Sequence, residues 1–403
     1  MKASKVYKVL IINAYSHKNR GDSGIIIAMI DIIRKSYDNP KISVMSQYHE
    51  QNIEFYKKIN VESVPPVWDI VSTNGFIKKY IIGIKKILFY KNQSTEHIQS
   101  ADLILSAGGG YLYSSRKGPL GVGFLNSLYH IWLSKKLKKK TILFPQSVGP
   151  LNYFIDRFVL KRVFDKIDFF YSRESITSSL LKNTNVKKEQ LPDVAFSLVP
   201  QKSTYIDENI QASNCILNIG ITVLDWRFAH KNSDFTHIDE YLSKIANVLK
   251  NFKAVSDKKI KIYIFPQVTV NQKDGDVEVS KILSEKIQNG VEVFYLDKIE
   301  NPKQLIYLYS KMNLFIGSRM HSAIFSLAGN VPTIALAYQP KTSGTFAFIN
   351  LSNFVLDIKH FKEEELKEKI YELLLLETRP KIKTKIAALR EHITTSLKQQ
   401  IVS

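Results

Sequence analysis

Short apolar runs alternate with longer amphipathic stretches along this chain of 403 residues, and no other feature limits its fold as much. Apolar runs of about four to eight residues predict buried strands, and apolar residues at helical spacing predict the helices between them. Repeated strand-helix-strand units form parallel sheets with helices on both faces. The pattern therefore predicts an α/β protein.

The alternation restarts near the middle of the chain, after a polar stretch, Gln201–Ser213, that predicts a linker. The predicted strands of the first half are Lys8–Ala14, Ile42–Met45, Asp102–Ser106, Thr141–Pro145 and Phe169–Tyr171. Those of the second half are Cys215–Thr222, Ile260–Phe265, Val291–Tyr295, Leu314–Ile316 and Thr333–Leu336. The intervening predicted helices include Gly24–Lys35, Phe124–Leu137, Ile155–Phe164, Tyr241–Phe252, Val277–Gln288, Pro302–Ser310 and Ser322–Leu327.

The length suits two hydrophobic cores of similar size. We therefore predict two doubly wound Rossmann-like domains facing one cleft, over residues 1–200 and 201–375. Charged helices over Lys362–Lys398 predict a C-terminal helical tail, residues 376–403.

The charge balance favours anionic partners. The chain carries 57 Lys and Arg against 37 Asp and Glu, a formal net charge of +20. Nucleic acid, acidic lipid and phosphorylated small molecules all fit such a surplus, and a lysine-rich genome composition would explain it without any of them. No recognised nucleic-acid-binding motif occurs, so we do not expect nucleic acid as a partner.

Cysteine content and hydropathy predict a cytoplasmic protein. Cys215 is the only cysteine, which excludes a disulfide framework and a multi-cysteine zinc site. No apolar run approaches the length of about 18 residues that spans a bilayer. The early apolar run Val9–Ile12 is short and lacks a small-residue cleavage site, so it is better interpreted as the first strand than as a signal peptide.

Five segments that follow predicted strands carry candidate binding residues, because ligands collect at the carboxyl ends of parallel strands. The first segment contains Asn19, Gly21 and Asp22. Glycine allows a close approach of backbone to ligand, and the two polar side chains offer hydrogen bonds. An ordinary turn with a helix N-cap at Asp22 or Ser23 is the alternative interpretation.

The second segment contains three consecutive glycines, Gly108, Gly109 and Gly110. Such a run implies unusual backbone torsions or a close contact with another group. Its spacing matches neither the dinucleotide fingerprint nor the Walker A motif. A ligand-binding loop and a tight turn both remain open.

The third and fourth segments add an amide and a charged pair. Gln146 lies in a loop predicted after the fourth strand, and Arg173 and Glu174 follow the fifth. An arginine can hold a carboxylate or phosphate through two parallel hydrogen bonds. A simple salt bridge at a helix start is the alternative role for this pair.

The fifth segment contains Ser318, Arg319, His321 and Ser322, between a strand that ends in glycine and a predicted helix. An arginine and the first amides of a helix form an anion site, and His321 places a titratable group beside it. A structural histidine is the alternative. Lys341 follows the next strand and is expected to reach the same anion.

Several other chemistries lack support in the sequence. The histidines show no metal-binding spacing such as H-E-x-x-H, so we expect no metal site. No G-x-S-x-G elbow occurs, which disfavours an α/β-hydrolase.

The stretch Phe76–Lys91 is basic and amphipathic, with Lys78, Lys79, Lys85 and Lys86 on one arc of a helix. It is a candidate for peripheral contact with an anionic membrane. A surface helix packed on its own domain is the alternative.

Taken together, these segments resemble the polysaccharide pyruvyl transferase family. The matching pieces occur in order through nearly the whole chain: NRGDSGI, LSAGGGYL, FPQSVGPL, YSRESITSSLL, LPDVAFSL and IGSRMHSAIFSLAGNVPTIALAYQPKTSGTF. The last piece is the most specific, because it fixes glycine, arginine, histidine, proline and lysine within one segment.

The resemblance implies a GT-B-like fold, phosphoenolpyruvate as donor substrate with no further cofactor, and an acceptor that is a polysaccharide or a lipid-linked sugar. On the family pattern His321 falls on the active-site histidine. Arg173 and Arg319 fall on positions suited to the phosphate and carboxylate of the donor. The expected acceptor side is the first domain, and the expected donor site lies in the second.

The expected reaction is a transfer of the pyruvyl group that forms a ketal and releases phosphate. His321 would act as acid and base, and Glu174 is either a second base or only orients Arg173. Two alternatives remain: a glycosyltransferase that uses a nucleotide-sugar, and a non-catalytic glycan-assembly protein of the same fold. The oligomeric state and the acceptor sugar are not predicted.

Overall fold

The computed structural model of the protein describes residues 6–210, 213–225, 235–268, 276–375 and 378–403. The chain forms two compact units. The first comprises Met1–His17, Ile25–Val194 and Ile393–Ser403, and the second comprises Lys18–Gly24 and Ala195–His392. This division differs from the predicted domains, because residues 18–24 group with the second unit and the C-terminal residues are shared by both. Residues 376 and 377, the first of the predicted tail, lie outside the described ranges.

The first unit is built on an eight-stranded sheet. Its strands are β1 (Lys8–Ala14), β2 (Lys41–Ser46), β3 (Glu62–Val64), β4 (Leu103–Ser106), β5 (Gly109–Leu112), β6 (Lys140–Val148), β7 (Phe169–Ser172) and β8 (Lys188–Gln190). They run parallel in the order β3-β2-β1-β4-β6-β7-β8, and β5 pairs with β6. The order reverses between β1 and β4, as in doubly wound folds.

Helices lie on this sheet, and several of them pack apolar residues against it. They are α1 (Arg20–Ser36), α2 (His49–Lys57), α3 (Phe76–Leu88), α4 (Gln93–Ser100), α5 (Val122–Lys136), α6 (Phe154–Phe164) and α7 (Ser175–Leu180). The first residues of α1, up to Gly24, belong to the second unit. The core includes Ile12, Ile104, Leu143 and Phe170, all buried.

The second unit contains a six-stranded sheet. Its strands are β9 (Ile216–Thr222), β10 (Lys259–Ile264), β11 (Val291–Val293), β12 (Leu314–Gly317), β13 (Thr333–Ala337) and β14 (Val355–Asp357). They run parallel in the order β11-β10-β9-β12-β13-β14. This order reverses between β9 and β12, and the crevice outside the carboxyl ends of two such strands is where this fold binds ligands.

The helices of the second unit continue the series. They are α8 (Thr204–Asn209), α9 (Phe235–Val255), α10 (Asp276–Ile287), α11 (Pro302–Ser310), α12 (Met320–Ala328), α13 (Pro340–Phe348), α14 (Glu363–Leu375) and α15 (Thr378–Val402). Helix α11 begins with two residues that favour a helix start. The side chain of Asn301 accepts a hydrogen bond from Lys303 N at 3.0 Å, and Pro302 occupies the first turn. Helix α15 ends in the first unit, from Ile393 onwards.

The α/β prediction is confirmed: two doubly wound parallel sheets form where the two halves of the alternation predict them. Strand β1 and helix α11 have the predicted bounds. The loop predicted at Gly108–Gly110 is wrong for its last two residues, because Gly109 and Gly110 begin strand β5, where Gly109 pairs with Gln146. The third loop is also shorter than predicted, since β6 continues to Val148.

Helix α1 begins earlier than predicted, and α13 is a helix that was not predicted. Asn19 caps α1, because its Oδ1 accepts a hydrogen bond from Gly21 N at 3.2 Å, so the cap is not at Asp22 or Ser23. Helix α13 begins at Pro340, and Lys341 therefore lies in a first helical turn rather than in a loop.

Within the described ranges, no helix has both the length and the apolar content that crossing a bilayer requires.

Candidate functional site

The segment around α12 lies at the point where the strand order of the second unit reverses. Ser318 N donates to Thr222 O at the end of β9, at 3.0 Å, and the hydroxyls of Thr222 and Ser322 are 2.6 Å apart. Arg319 occupies the N-cap position of α12. These bonds hold the predicted residues Ser318, Arg319, His321 and Ser322 at the carboxyl ends of β9 and β12.

His321 packs against the first turn of α1. The space that a Cβ on Gly21 would need is occupied by the Nδ1, Cγ and Cβ atoms of His321. Gly21 therefore allows the imidazole to lie directly on the backbone of this turn. The structure thus brings two predicted segments together within one unit, Asn19–Asp22 and the segment that carries His321.

Arg319 forms a charged pair with an aspartate that the sequence analysis did not select. Its Nη2 lies 2.5 Å from Asp276 Oδ1 and its Nε lies 3.2 Å from Asp276 Oδ2. The carboxylate of Asp276 is fully buried, and burial raises its pKa while the charge of Arg319 opposes that rise. Val268 N also donates to Asp276, at 2.9 Å. Asp276 thus fixes the guanidinium of Arg319 beside the start of α12.

Two buried tyrosines complete the surroundings of this pair. The hydroxyls of Tyr241 and Ser318 are 2.6 Å apart, and Tyr309 donates to Gln267 Oε1 at 2.7 Å. Burial raises the pKa of both tyrosines, so each stays protonated and can donate a hydrogen bond at neutral pH. Gln267 Nε2 is buried and has no hydrogen-bond partner among the described residues.

Lys341 lies beside the start of α12 through Thr345. Thr345 donates to Lys341 O at 2.9 Å, and its hydroxyl lies 3.9 Å from Met320 Sδ. Helix α13 is therefore adjacent to the first residue of α12. The reach of the Lys341 side chain toward the same anion stays a prediction.

In the first unit, Arg173 is held by a second buried aspartate. Its Nη1 lies 2.7 Å from Asp193 Oδ2, and its Nη2 donates to Ser147 Oγ at 2.6 Å. Arg173 is 2% exposed and Asp193 is 1% exposed. Both charges are thus desolvated and paired, which is the condition under which a protein tolerates such burial.

Glu174 contacts the same group of side chains. Its carboxylate accepts hydrogen bonds from Ser147 Oγ at 2.7 Å and from Thr177 Oγ1, and it lies 3.7 Å from Arg173 Nε. These contacts fix the orientation of the Arg173 side chain through Ser147. The geometry therefore favours an orienting role for Glu174 over that of a second base.

Gln146 is the most unusual residue of this cluster. Its side chain is fully buried, and neither its Nε2 nor its Oε1 bonds any described residue. Its backbone carbonyl accepts from Arg173 N at 3.1 Å, so the amide lies next to the Arg173 cluster. A buried amide without partners costs free energy, and such costs concentrate at binding sites.

The glycines of the second predicted segment adjoin this cluster. A Cβ on Gly108 would lie 2.7 Å from Pro145 O, and one on Gly110 would lie 3.6 Å from Arg173 Nη2. Gly109 has a φ of 121°, in the region that favours glycine. The segment therefore needs glycine at position 108 for close packing against β6 and at position 109 for its backbone torsion.

Two aspartates and one glutamine of these clusters were not predicted. Asp193 lies in the segment LPDVAFSL, which could have identified it, and Asp276 ends the triplet Asp274-Gly275-Asp276, a D-x-D pattern that could have drawn attention to it. Gln267 repeats Gln146, since each ends a Phe-Pro-Gln triplet, the first within β6 and the second directly after β10. Across the described ranges, no three His, Cys, Asp or Glu side chains converge in a way that would hold a metal ion.

Several solved structures share the fold of this chain. A putative UDP-N-acetylglucosamine 2-epimerase from Listeria monocytogenes is similar with a TM-score of 0.63 at 12% identity, over 98% of this chain and 97% of the other. Sucrose-phosphate synthase from Thermosynechococcus elongatus gives a TM-score of 0.59 at 11% identity, over 98% of each chain. These similarities show that the fold is GT-B-like.

Sequence comparison is more specific. The chain is 21% identical to the amylovoran biosynthesis protein AmsJ of Erwinia amylovora over 393 residues, which cover 90% of this chain and 91% of AmsJ. The family model for polysaccharide pyruvyl transferase matches residues 19–340, from the cap of α1 to the start of α13. Every predicted site residue except Lys341 lies within this match. The chain therefore belongs to the polysaccharide pyruvyl transferase family, a family of transferases.

Proposed function

We propose that the protein transfers the pyruvyl group of phosphoenolpyruvate to two hydroxyls of a sugar in a surface polysaccharide or its lipid-linked precursor. The observation that carries the proposal is the convergence of two family segments, with His321 lying on Gly21 and Arg319 fixed by Asp276. Both lie at the ligand-binding edge of a doubly wound sheet. The exopolysaccharide relative AmsJ supports a glycan as acceptor.

The donor is a small molecule with two anionic groups, a phosphate and a carboxylate. The N-terminus of α12 offers backbone amides and the positive end of a helix dipole, both of which favour an anion. Arg319 and Lys341 add positive charge at the same place. Because Asp276 occupies two nitrogens of Arg319, we assign Arg319 an electrostatic role and the binding of phosphate oxygens mainly to the helix terminus.

The proposed chemistry begins with a proton added to C3 of phosphoenolpyruvate, which makes C2 electrophilic. A sugar hydroxyl attacks C2 and loses its proton. The bond between C2 and the phosphate oxygen then breaks, and the electron pair leaves with inorganic phosphate. A second hydroxyl attacks C2 and loses its proton, which closes the ketal. His321 is the proposed group for proton transfer, a role that contributes about 10²–10⁴-fold to the rate.

The roles of the first-unit residues are proposals of the same kind. Arg173 is a positioning residue held by Asp193 and Ser147, and Gln146 offers a buried donor and acceptor to a bound ligand. In the second unit, Asn19 caps the first turn of α1, on which His321 lies, and we propose that Asp22 binds substrate there. We propose that Gly108, Gly109 and Gly110 bind substrate through their backbone.

A direct test is turnover with phosphoenolpyruvate and a panel of aryl hexosides and lipid-linked sugar extracts. We expect release of inorganic phosphate and a product that carries the added pyruvyl mass. In D2O the new methyl group should contain one deuterium, because protonation at C3 takes a solvent proton. Phosphate release without such a product, or a methyl group without deuterium, would contradict the proposed chemistry.

A nucleotide-sugar glycosyltransferase is the second candidate, favoured by the similarity in fold to sucrose-phosphate synthase. The same acceptor panel with UDP-sugars separates the two. Release of UDP and no reaction with phosphoenolpyruvate would support the second candidate and refute the first.

A further inference from the structure

Helix α3 is attached to the first unit by its less apolar side. Gly83 is its buried residue, and a Cβ there would come within 2.6 Å of Trp68 Cη2. Ile82 is half-buried and packs on the core, and Tyr129 donates to Lys86 O at 3.1 Å. The sequence pattern left open a helix packed by its apolar stripe, and the structure shows the opposite orientation.

The apolar stripe of α3 faces solvent. Its members are Ile77, Ile81, Ile84 and Leu88, which are 74%, 49%, 59% and 65% exposed. Steps of four, three and four residues place them on one face of the helix. An ordinary surface helix, in contrast, packs its apolar stripe on the core of its own domain. We call these four residues the α3 apolar face.

Positive charge borders the α3 apolar face. Lys78 and Lys85 are exposed and lie along one edge of it. Between Asp69 and Asp156 the only acidic residues of the chain are Glu96 and Asp102. An apolar helix face bordered by lysines, in a segment of the chain with few carboxylates, is the pattern of helices that lie in the interface of an anionic bilayer.

Helix α6 extends the exposed apolar surface. Tyr80 of α3 donates to Leu120 O at 3.0 Å, and Leu120 N donates to Asp156 of α6 at 2.7 Å, so both helices meet at Leu120. Phe154, the first residue of α6, is 80% exposed, and Phe158 of the same helix is 44% exposed. Aromatic residues next to cationic ones favour the headgroup region of a membrane.

We propose that the α3 apolar face docks the protein on an anionic lipid bilayer, with α3 parallel to the surface and its lysines on the lipid headgroups. Charge complementarity selects this occupant. A second copy of the chain would bring the same lysines against each other across a two-fold axis, which is repulsive. The proposal goes beyond pyruvyl transfer, because docking requires neither donor nor acceptor.

The test is flotation of the purified full chain with vesicles of phosphatidylcholine alone and of phosphatidylcholine mixed with phosphatidylglycerol. We expect binding to the anionic vesicles and little to the neutral ones. Lys78→Glu/Lys85→Glu should lower partitioning by at least about tenfold, since each lysine near an anionic surface contributes about fivefold. Ile81→Glu/Ile84→Glu should abolish it.

Matched controls carry the same changes on other exposed positions. Lys367→Glu/Lys383→Glu reverses the charge of two exposed lysines outside α3, and Val199→Glu/Leu375→Glu replaces two exposed apolar residues outside it. Both control variants should bind the anionic vesicles as the unchanged protein does. Equal losses in controls and α3 variants would overturn the proposal, as would no binding to anionic vesicles. A dimer that Ile81→Glu/Ile84→Glu dissociates, without vesicle binding, would assign the face to a second copy instead.

A fluorophore distinguishes insertion from surface adsorption. Cys215 is the only cysteine, so Cys215→Ser/Ile84→Cys accepts one label on the α3 apolar face, and Cys215→Ser/Leu375→Cys is the control. We expect a blue shift on anionic vesicles for the α3 label alone. An unshifted α3 label would contradict insertion of this face.

Discussion

Gly21 determines how closely the imidazole of His321 can approach the first turn of α1. No other residue type leaves room for the Nδ1 and Cγ atoms of the ring at that distance. The requirement is steric and does not depend on a positive φ, since Gly21 lies within a regular helix. The position of the proposed acid-base group is therefore set by the absence of one carbon atom.

Gly21→Ala should displace the His321 ring and lower turnover by about 100-fold, because a misplacement of about 1 Å at a reacting group costs that much. The measurement is phosphate release from phosphoenolpyruvate. Gly123→Ala is the matched control: it also lies in a helix, and its Cβ would meet no atom within 4 Å. Full activity in Gly21→Ala would show that the ring position does not matter.

His321→Gln should retain the fold and lose about 10²–10⁴-fold in kcat, the contribution of an acid-base group. Circular dichroism checks the fold, and phosphate release measures the rate. His360→Gln changes an exposed histidine in the same unit and should keep full activity. Equal rates for His321→Gln and the unchanged protein would remove the imidazole from the mechanism.

At the scale of elements, each unit joins its strands and helices through one buried arginine-aspartate pair. Asp193 follows β8 and binds Arg173 after β7, while Asp276 starts α10 and binds Arg319 before α12. In each unit the backbone of the Phe-Pro-Gln triplet also bonds a member of the pair. The pairs are therefore structural supports as well as candidate site residues.

Asp276→Asn should lower the free energy of unfolding by about 3 kcal/mol, because it leaves the guanidinium of Arg319 without its buried counter-charge. Asp239→Asn is the control, since Asp239 forms an exposed pair with Lys286 at 2.8 Å and exposed pairs contribute less than about 1 kcal/mol. Urea denaturation measures both. Similar values for the two variants would show that the Arg319 pair adds no more than a surface pair.

Gln146 in β6 offers a test that separates binding from folding. Gln146→Leu removes a buried amide that has no partner among the described residues, so we expect the free energy of unfolding to rise by about 1–2 kcal/mol. Turnover with phosphoenolpyruvate should fall at the same time. A variant that is less stable than the unchanged protein would show that the amide is satisfied in the folded state.

At the scale of the whole molecule, the alternation of apolar runs was sufficient to predict the central strands of both sheets, because a core strand must be apolar whatever it binds. The edge strands β3, β8 and β14 were not predicted. Strand β5 was missed, since three glycines carry no apolar signal and only its pairing with β6 makes it a strand. The Arg319–Asp276 pair joins residues 43 positions apart. No local pattern reports such a contact, whereas His321 and Arg319 were identified because they are close in sequence to a strand-to-helix turn.

Global stability should fall in mild acid because of His130 in α5. Burial lowers its pKa to about 4, and its Nδ1 donates to Asn126 O at 2.9 Å. An unfolded histidine titrates near 6.5, so the unfolded state binds more protons between pH 6.5 and 4, and stability decreases as the pH falls through that window by up to about 3 kcal/mol. His130→Gln should flatten this dependence in thermal unfolding, and His392→Gln, an exposed control, should not. Parallel pH curves for all three proteins would contradict the burial effect.

The unsatisfied amide of Gln146 has an evolutionary consequence. Selection for folding alone would favour an aliphatic residue of similar volume in its place. Homologous genes that have lost transferase activity should therefore carry leucine or methionine at this position while the preceding phenylalanine and proline persist. The residue at this position would then distinguish active enzymes from inactive homologues.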